Sequence, residues 1–399
     1  MNSTSVEDVT EFVLDGTHGS PDRTDTGIPV LSAQNVKDGT LDYETERYTS
    51  VAEHEAFAKR LSLRAGDVLL TIVGTIGRAA VLDDVRPLVF QRSVAVLRPR
   101  EDCLDSRYLY HVSQSQPFQA QLSRASNKSS QAGVYLGKLK KLRIPLPPLP
   151  EQRRIAEILD KADALRAKRR AVLAQLDTLS QSIFLDMFGD PVANPKKWPI
   201  ASLAELFEIA RGGSPRPIDD YITDDPDGIN WIMISDTVEG GKYITSTRKR
   251  IRPQGARRSR VVKPGDFLLT NSMSFGRPYI MRTSGCIHDG WLVLSPRRED
   301  VETNYFYALL GTQAVYAEFA RRAPGATVKN LNIDLVRGVT VPVPPLPTQE
   351  KFAAVVASTE GLALIFNRSL AEFDVLFTSL QYRAFRGEIV SERSRRITA

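Results

Sequence analysis

The sequence has few of the residues that build metal centres, disulfides or membrane spans. It holds two cysteines, Cys103 and Cys286, and four histidines that stand singly. Neither set has the spacing of a zinc site or a disulfide framework, so we expect no metal and a reducing cytoplasmic compartment. No apolar run approaches the ~20 residues of a membrane-spanning helix, and the first residues have no signal-peptide character.

Motifs of several enzyme classes are also missing. The chain has no GxxxxGK[ST] phosphate loop, which argues against ATPase or motor activity. Asn194-Pro195 lacks the second proline and the aromatic ring with which adenine methyltransferases stack on a flipped base. Glu239 and Lys242 lie in a Gly-Gly turn at the wrong spacing for a nuclease. We therefore expect a protein without an active site of its own.

What the sequence does contain is an internal repeat, with two copies of one unit. A proline ladder and a long helical pattern occupy residues 144–189, and the same arrangement returns at residues 341–387. The two ladders read IPLPPLPEQ and VPVPPLPTQ, and their glutamines, Gln152 and Gln349, are 197 residues apart. Repetition on this scale predicts a duplicated architecture.

Both helical patterns carry an apolar stripe with a period of about 3.5 residues. With Ile155 and Phe352 at heptad position a, eight of ten a and d positions are apolar in the first helix and seven of ten in the second. The residues expected to pack in this stripe are Ile155, Ile158, Leu165, Leu176, Leu179, Phe352, Leu362, Phe366, Phe373 and Leu376. Each helix either folds back on its own domain or packs on the other as a rod between two globular units, and the matched stripes favour the rod.

The globular parts repeat as well and read as strand-rich. The turn and buried strand GDVLLT at Asp67 return as GDFLLT at Asp266, 199 residues on. The loop residue Arg78 returns at the same distance as Arg277. The two copies therefore share a scaffold of strands and turns.

The loops between these strands differ. Gly-Ser-Pro at residues 19–21 is matched to residues 213–215, but Gln-Arg-Ser at residues 91–93 is replaced by His-Asp-Gly at residues 288–290. A common scaffold with divergent loops is what two readers of two different sequences need. Drift after duplication produces the same pattern, so both explanations stay open.

The net charge of +6 is a modest excess, but one segment concentrates positive charge. Residues 247–262 contain no carboxylate and hold Arg248, Lys249, Arg250, Arg252, Arg257, Arg258 and Arg260. Such a run is either a solvated surface or a surface for the phosphate backbone of nucleic acid, and its density favours nucleic acid.

Two sequence-divergent domains, each ending in a proline ladder and PPLPxQ before a long helix, resemble the specificity subunit of Type I restriction–modification systems. GDxLLT, the Gly-Arg loop and QRSVAVLRP are similar to that family's recognition domains, although the second copy departs from the pattern at residues 288–290. The resemblance covers nearly the whole chain. It implies an α+β fold in which two strand-rich target recognition domains are separated by two long helices that form an antiparallel coiled coil. The implied boundaries are recognition domain 1 at residues 1–150, a central helix at 151–190, recognition domain 2 at 191–347, a C-terminal helix at 348–387 and a basic tail at 388–399.

The resemblance also implies a function. The chain would be a non-catalytic subunit that reads a bipartite target in double-stranded DNA, without a cofactor, a metal or a membrane. Two methyltransferase subunits, which bind S-adenosylmethionine, would clasp it, and ATP-dependent restriction subunits would join where the complex also cleaves DNA. Because Arg, Asn and Lys side chains contact phosphates and base edges, the expected DNA-binding residues are Arg78, Arg92, Asn127, Lys128, Arg248, Arg257, Arg258, Arg277 and Lys329. Two alternatives remain: an enzyme with an unrecognised site, and a coiled-coil scaffold or DNA adaptor of another defence complex.

Overall fold

The computed structural model describes residues 3–127, 132–238, 241–271, 275–322 and 331–388. No helix within these ranges has both the length and the apolar character needed to cross a membrane. The chain forms two compact units: unit 1 is Met1–Arg170 with Ser369–Ala399, and unit 2 is Ala171–Arg368. The division falls inside both long helices, so each unit combines one strand-rich domain with half of each helix.

The strand-rich domain of unit 1 consists of two small sheets covered by helices. Its strands are β1 (Ser3–Ser5), β2 (Thr10–Asp15), β3 (Ile28–Leu31), β4 (Tyr48–Thr49), β5 (Val68–Thr71), β6 (Ala79–Val81), β7 (Val89–Phe90), β8 (Val94–Pro99) and β9 (Arg143–Pro145). Its helices are α1 (Val51–Arg60), α2 (Ser106–Ser113), α3 (Gln116–Ala125) and α4 (Leu136–Lys140), followed by the long helix α5 (Leu149–Phe188). One sheet has the order β2-β8-β5-β6, the other β4-β3-β7, and β1 pairs with β9.

The strand-rich domain of unit 2 repeats this plan with more strands. They are β10 (Ile200–Ser202), β11 (Phe207–Arg211), β12 (Ile222–Thr223), β13 (Ile229–Ile232), β14 (Tyr243–Ile244), β15 (Lys249–Ile251), β16 (Arg260–Val262), β17 (Phe267–Thr270), β18 (Pro278–Met281), β19 (Gly285–Ile287), β20 (Trp291–Pro296) and β21 (Thr340–Pro342). The helices are α6 (Leu203–Leu206), α7 (Pro253–Ala256), α8 (Thr303–Leu310), α9 (Gln313–Arg322) and α10 (Ile333–Arg337), followed by the long helix α11 (Leu346–Phe385). The sheets are β11-β20-β17-β18-β14 and β12-β15-β13-β19-β16, and β10 pairs with β21.

The two strand orders confirm the duplication predicted from the sequence. The order β2-β8-β5-β6 of unit 1 is repeated as β11-β20-β17-β18 in unit 2. The parallel pair β3 and β7 likewise corresponds to the parallel pair β13 and β19. Strands β5 and β17, the GDxLLT segments, are buried along their whole length, because helices cover one face of their sheet and the second sheet covers the other.

A buried glutamine explains the PPLPxQ motif. The side chain of Gln152 accepts a hydrogen bond from the Asp105 N–H (2.9 Å) and donates to the carbonyls of Cys103 and Pro147 (both 2.8 Å). This amide therefore joins the proline ladder and the first turn of α5 to the loop that leads into α2. Gln349 makes the corresponding three bonds in unit 2.

The long helices run antiparallel, as the resemblance to the specificity subunits implies. In unit 1 the first half of α5 lies beside the last half of α11: Arg166 Nε donates to Asp374 Oδ1 at 2.6 Å, and its guanidinium lies 4.3 Å from the Phe377 ring centroid. In unit 2 the end of α5 lies beside the start of α11, where the ring centroids of Phe184 and Phe352 are 5.7 Å apart. The helices also pack on the strand-rich domains. Packing of the helices on each other and packing of each helix on a domain therefore both occur.

The buried stripe of each helix differs from the a and d columns expected from the heptad pattern. In the first turns of α5 and along α11 it follows mainly positions a and e, which also alternate by four and three residues. Near the end of α5 the buried residues are Phe184 and Phe188, at positions b and f. In α5, Leu159 at e is fully buried while Leu165 at d is 52 % exposed. In α11, Phe377 at e is buried while Leu376 at d is 51 % exposed. Among the ten expected packing residues, Ile155 and Phe352 are buried, Ile158, Leu176, Phe366 and Phe373 are half-buried, and Leu165, Leu179, Leu362 and Leu376 are exposed.

The Gln152 anchor gives a stability prediction. In a Gln152→Met variant, a side chain of similar size leaves one N–H and two carbonyls without their partner, at a cost of about 2–4 kcal/mol. For a unit of this size we expect the Tm of unit 1 to fall by about 5–10 °C in scanning calorimetry. Gln175→Met, at an exposed position of the same helix, is the control. Equal Tm values for the two variants would contradict the anchoring role.

Candidate nucleic-acid interface

In unit 1 three separate segments meet at the start of β8. The Arg92 N–H donates to the Thr17 carbonyl (3.0 Å), which joins the β7–β8 turn to the loop after β2. Arg60, the last residue of α1, donates to the carbonyls of Asp15 and Gly16, both at 2.6 Å. We call residues 15–18, 60 and 91–93 loop cluster 1. It presents two arginines, Arg60 and Arg92, to solvent.

Unit 2 brings the corresponding segments together at the start of β20. The carbonyl of Ile287 accepts hydrogen bonds from the Gly213 N–H (3.1 Å) and the Ser259 hydroxyl (2.9 Å). These bonds join the β19–β20 turn to the loop after β11 and to the turn after α7, which carries the exposed Arg257 and Arg258. We call residues 211–216, 257–259 and 288–290 loop cluster 2.

Two glycines allow the loops to approach so closely. A Cβ on Gly16 would lie 2.1 Å from the Phe90 carbonyl oxygen, and a Cβ on Gly212 would lie 2.0 Å from the His288 carbonyl oxygen. Only glycine fits either position. The structure therefore aligns Gly212 with Gly16, so the match of residues 213–215 to Gly-Ser-Pro at residues 19–21 was wrong. That match followed residue names, whereas the close backbone contact fixes the true correspondence.

The arginines and lysine of the basic run are all solvent-exposed. None of them forms an ion pair with a carboxylate among the residues that the structure describes. The fold nevertheless brings negative charge nearby, because β12, which pairs with β15 through Thr223 and Arg250, is flanked by Asp219, Asp220, Asp224, Asp225 and Asp227. These carboxylates lie outside residues 247–262, so counting charges over that segment alone did not include them. The excess of positive charge is therefore confined to the part of the surface away from β12.

The polar turn of loop cluster 2 holds an ionised carboxylate. The Ser214 hydroxyl donates to Asp289 Oδ1 at 2.8 Å and holds the pKa of Asp289 below its usual range. Arg216 lies 3.6 Å from the same carboxylate and is otherwise exposed. Burial lowers the pKa of His288, whose Nδ1 accepts the Gly290 N–H. His288 therefore shapes the turn as a neutral imidazole.

The remaining residues expected to bind DNA lie elsewhere. Arg78 and Arg277 are half-buried, and each donates its backbone N–H to a threonine hydroxyl of the preceding strand. Arg277 lines a cavity of about 420 Å³ beside α5 and α11. Asn127 closes its own loop by accepting the Gly133 N–H at 2.8 Å. Arg248 is exposed just before β15, and Lys128 and Lys329 lie outside the described residues.

Sequence reasoning missed Arg60, Arg211 and Arg216, which the fold places in the loop clusters. Arg60 ends a helix that also carries acidic residues, so its surroundings have no basic run to mark it. Only the tertiary contacts with the loop after β2 bring it beside Arg92. Within the described ranges, no group of three or more His, Cys, Asp or Glu side chains could hold a metal ion.

A duplicated strand-rich domain with an arginine-bearing loop cluster in each copy, together with two paired long helices, defines a two-domain recognition protein. The chain belongs to the family of the Type I restriction modification DNA specificity domain, whose pattern matches residues 6–175 and again residues 195–365. The resemblance drawn from the proline ladders and GDxLLT segments is thereby confirmed, and so are the two DNA recognition domains.

Similar proteins carry related names. The chain is 24 % identical over 384 residues to the putative type I restriction enzyme MjaX specificity subunit of Methanocaldococcus jannaschii, covering 90 % of this chain and 86 % of that protein. It is 29 % identical over 166 residues to the EcoBI specificity subunit of Escherichia coli, covering 41 % of this chain and 35 % of that one.

Solved structures share the fold. A chain from a study of complex assembly and conformational transition of the type I R-M system has a TM-score of 0.59 at 19 % identity, covering 97 % of this chain and 98 % of that one. The Type I restriction–modification S subunit from M. genitalium has a TM-score of 0.56 at 15 % identity, covering 96 % of each chain.

Loop cluster 2 gives a binding prediction. The plot of log K against log salt for DNA binding has a negative slope. In the double variant Arg257→Ala/Arg258→Ala we expect the magnitude of this slope to decrease by about 2, because each lost phosphate contact decreases it by about 1. The measurement is a salt titration by fluorescence anisotropy with the purified chain. Arg298→Ala/Arg337→Ala, which removes two exposed arginines of unit 2 outside the cluster, is the matched control. A slope equal to that of the control would exclude Arg257 and Arg258 from the interface.

Proposed function

We propose that the chain reads a bipartite target in double-stranded DNA, with unit 1 reading one half and unit 2 the other. The observation that carries this proposal is the pair of loop clusters, which occupy the same place on two copies of one scaffold. The Thr17 N–H donates to the Phe90 carbonyl at 2.7 Å in loop cluster 1, as the Gly213 N–H donates to the Ile287 carbonyl at 3.1 Å in loop cluster 2, so the two sheets hold their clusters in the same way.

The side chains of the two clusters support different half-sites. Loop cluster 1 offers Arg60 and Arg92, whereas loop cluster 2 offers Arg216, Arg257 and Arg258 beside the carboxylate of Asp289. Since arginine reads guanine edges and phosphates while a carboxylate accepts from cytosine, two such different sets favour different bases. A shared scaffold of strands with divergent recognition loops allows one fold to bind two different sequences.

The exposed apolar residues of the long helices support the docking of partner subunits. In unit 1, Val375, Leu376 and Tyr382 of α11 are exposed, and a groove of about 1070 Å³ runs past Phe118 and Phe385. In unit 2, Leu362, Leu364 and Ile365 of α11 are exposed. Apolar rows of this kind on helices are typical of surfaces that partners cover. We propose that two methyltransferase subunits cover them and carry S-adenosylmethionine.

In this proposal the chain has neither catalytic activity nor a cofactor of its own. The assembled complex methylates adenine in the target, and ATP-dependent restriction subunits add cleavage where they are present. Purified chain incubated with DNA and labelled S-adenosylmethionine should transfer no methyl group until the methyltransferase subunits are added. Transfer by the chain alone would make it an enzyme.

Mapping of methylated adenine in the native host tests the reading of a bipartite target. With the gene present we expect one split motif to be methylated, and deletion of the gene should remove methylation at that motif alone. Replacing the gene with the Arg257→Ala/Arg258→Ala variant should reduce methylation without changing the half-site read by unit 1. A methylation map that deletion leaves unchanged would refute the proposal.

The exposed helix surface gives an assembly prediction. In Leu362→Glu/Ile365→Glu, two charges enter the row proposed to meet a methyltransferase subunit, and we expect co-purification with that subunit to fall at least tenfold, since an unpaired buried charge costs several kcal/mol. DNA binding by the chain alone should persist because both positions are solvent-exposed. Asn367→Glu, an exposed position on the same helix, is the control. Normal assembly of the double variant would place the partner elsewhere.

A further inference from the structure

Unit 1 contains a buried ion pair at the base of its main sheet. Asp67, just before β5, is 1 % exposed and accepts two hydrogen bonds from Arg98 of β8, from Nε to Oδ1 at 2.7 Å and from Nη2 to Oδ2 at 2.8 Å. The Arg98 guanidinium also donates to the Ser62 carbonyl and lies 4.5 Å from the Phe12 ring centroid. Both carboxylate oxygens of Asp67 thus accept a hydrogen bond from the Arg98 guanidinium, the close geometry that a buried pair requires.

Unit 2 keeps the carboxylate and lacks the arginine. Asp266 at the start of β17 is 2 % exposed, and its Oδ2 accepts the Lys263 N–H at 2.9 Å, just as Asp67 Oδ2 accepts the Arg64 N–H at 2.8 Å. The pairing of β11 with β20 sets Glu208 opposite Ser295, where β2 and β8 set Phe12 opposite Arg98. A serine therefore occupies the place of the arginine, and a second carboxylate occupies the place of the aromatic ring.

The exchange leaves a cavity beside a carboxylate oxygen that makes no hydrogen bond. The cavity has a volume of about 230 Å³ and is lined by Asp266, Ser295, Glu208 and the segment Arg260–Lys263. Asp266 Oδ1 has no hydrogen-bond partner within the part of the chain that the structure describes. A buried carboxylate oxygen without a hydrogen-bond donor is costly, so Asp266 Oδ1 suits a cation that donates hydrogen bonds.

We propose that this cavity binds a guanidinium group, carried either by an arginine side chain of a partner polypeptide or by a free guanidino compound. Asp266 Oδ1 accepts one N–H of the ligand, as Asp67 Oδ1 does from Arg98, and the Glu208 carboxylate at the cavity wall adds a second negative charge. A planar guanidinium fits because the same backbone scaffold holds one in unit 1.

Thermal unfolding of the purified full chain in N-methylguanidinium chloride tests the site. At low millimolar concentrations, matched to sodium chloride for ionic strength, we expect a saturable rise in Tm on the order of 2 °C, because a ligand that binds only the folded state stabilises it. Asp266→Asn, which keeps the shape and removes the charge, should abolish the rise. The absence of a saturable rise in the unmodified chain would overturn the proposal.

Two further variants separate this site from binding elsewhere. Ser295→Arg gives unit 2 the arginine that unit 1 has at Arg98. This variant should therefore have a higher Tm without any ligand and should no longer respond to N-methylguanidinium. Arg98→Ser, the reverse exchange, should lower the Tm of unit 1 and create a new response to the probe. A response that survives in Ser295→Arg would show that the probe binds somewhere else.

The chain's own cations are the rival occupants. Arg260 and Lys263 line the cavity and are exposed. If either one fills the site, the unmodified chain will not respond to the probe, while Arg260→Ala or Lys263→Ala will gain a response, and the proposal fails.

Reconstitution with the methyltransferase subunits distinguishes the two sources of the guanidinium. If a partner supplies an arginine, Asp266→Asn will weaken assembly about tenfold or more, and N-methylguanidinium will compete with assembly. If a free compound is the ligand, assembly will be unaffected and the complex will still respond to the probe. The probe experiments do not involve DNA, so their failure is separable from failure of the proposed function.

Discussion

The hydrogen bonds of the two buried glutamines hold each unit together. Gln152 connects the proline ladder, the start of α5 and the loop before α2, and Gln349 repeats the connection in unit 2. Because the prolines that precede Leu149 and Leu346 interrupt helical structure, each long helix begins at a fixed point, and the glutamine ties that point to the domain. The direction of each helix on its domain follows from this anchor and from the aromatic packing beyond it, such as Tyr108 against Phe385 in unit 1.

The fold was largely predictable because its signals are local and occur twice. The GDxLLT segments correspond to β5 and β17, and the helical patterns that follow the proline ladders correspond to α5 and α11. The second column of the helix stripe was harder to predict. Leu165 is far more apolar than its neighbour Arg166, yet Leu165 is 52 % exposed while Arg166 at position e packs inward on the Phe377 ring. Sequence periodicity counts apolar residues, whereas burial depends on which direction the partner helix and the domain approach from.

The candidate site was predictable only where charge is concentrated along the sequence. Arg257 and Arg258 belong to a run without carboxylates, and the structure presents both to solvent. Arg60 and Arg216 are isolated in the sequence and enter the loop clusters through tertiary contacts alone. Arg277 has the same spacing from its glycine loop as Arg78, but its side chain lines a cavity beside the long helices. Electrostatic surfaces are assembled by folding, so composition along the chain records them incompletely.

The division of the chain between its two units has a consequence for synthesis on the ribosome. Unit 2 is one continuous segment, Ala171–Arg368, whereas unit 1 needs both ends of the chain. The core of unit 1 includes Phe377 and Ala384 of α11 packed with residues such as Tyr108 and Ile155. The first domain to be translated is therefore the last to complete its core, because part of its apolar surface is covered only when the final turns of α11 have been made. A nascent chain stalled near residue 368 would expose that surface, and protection of it by a chaperone matters most for this first-made domain.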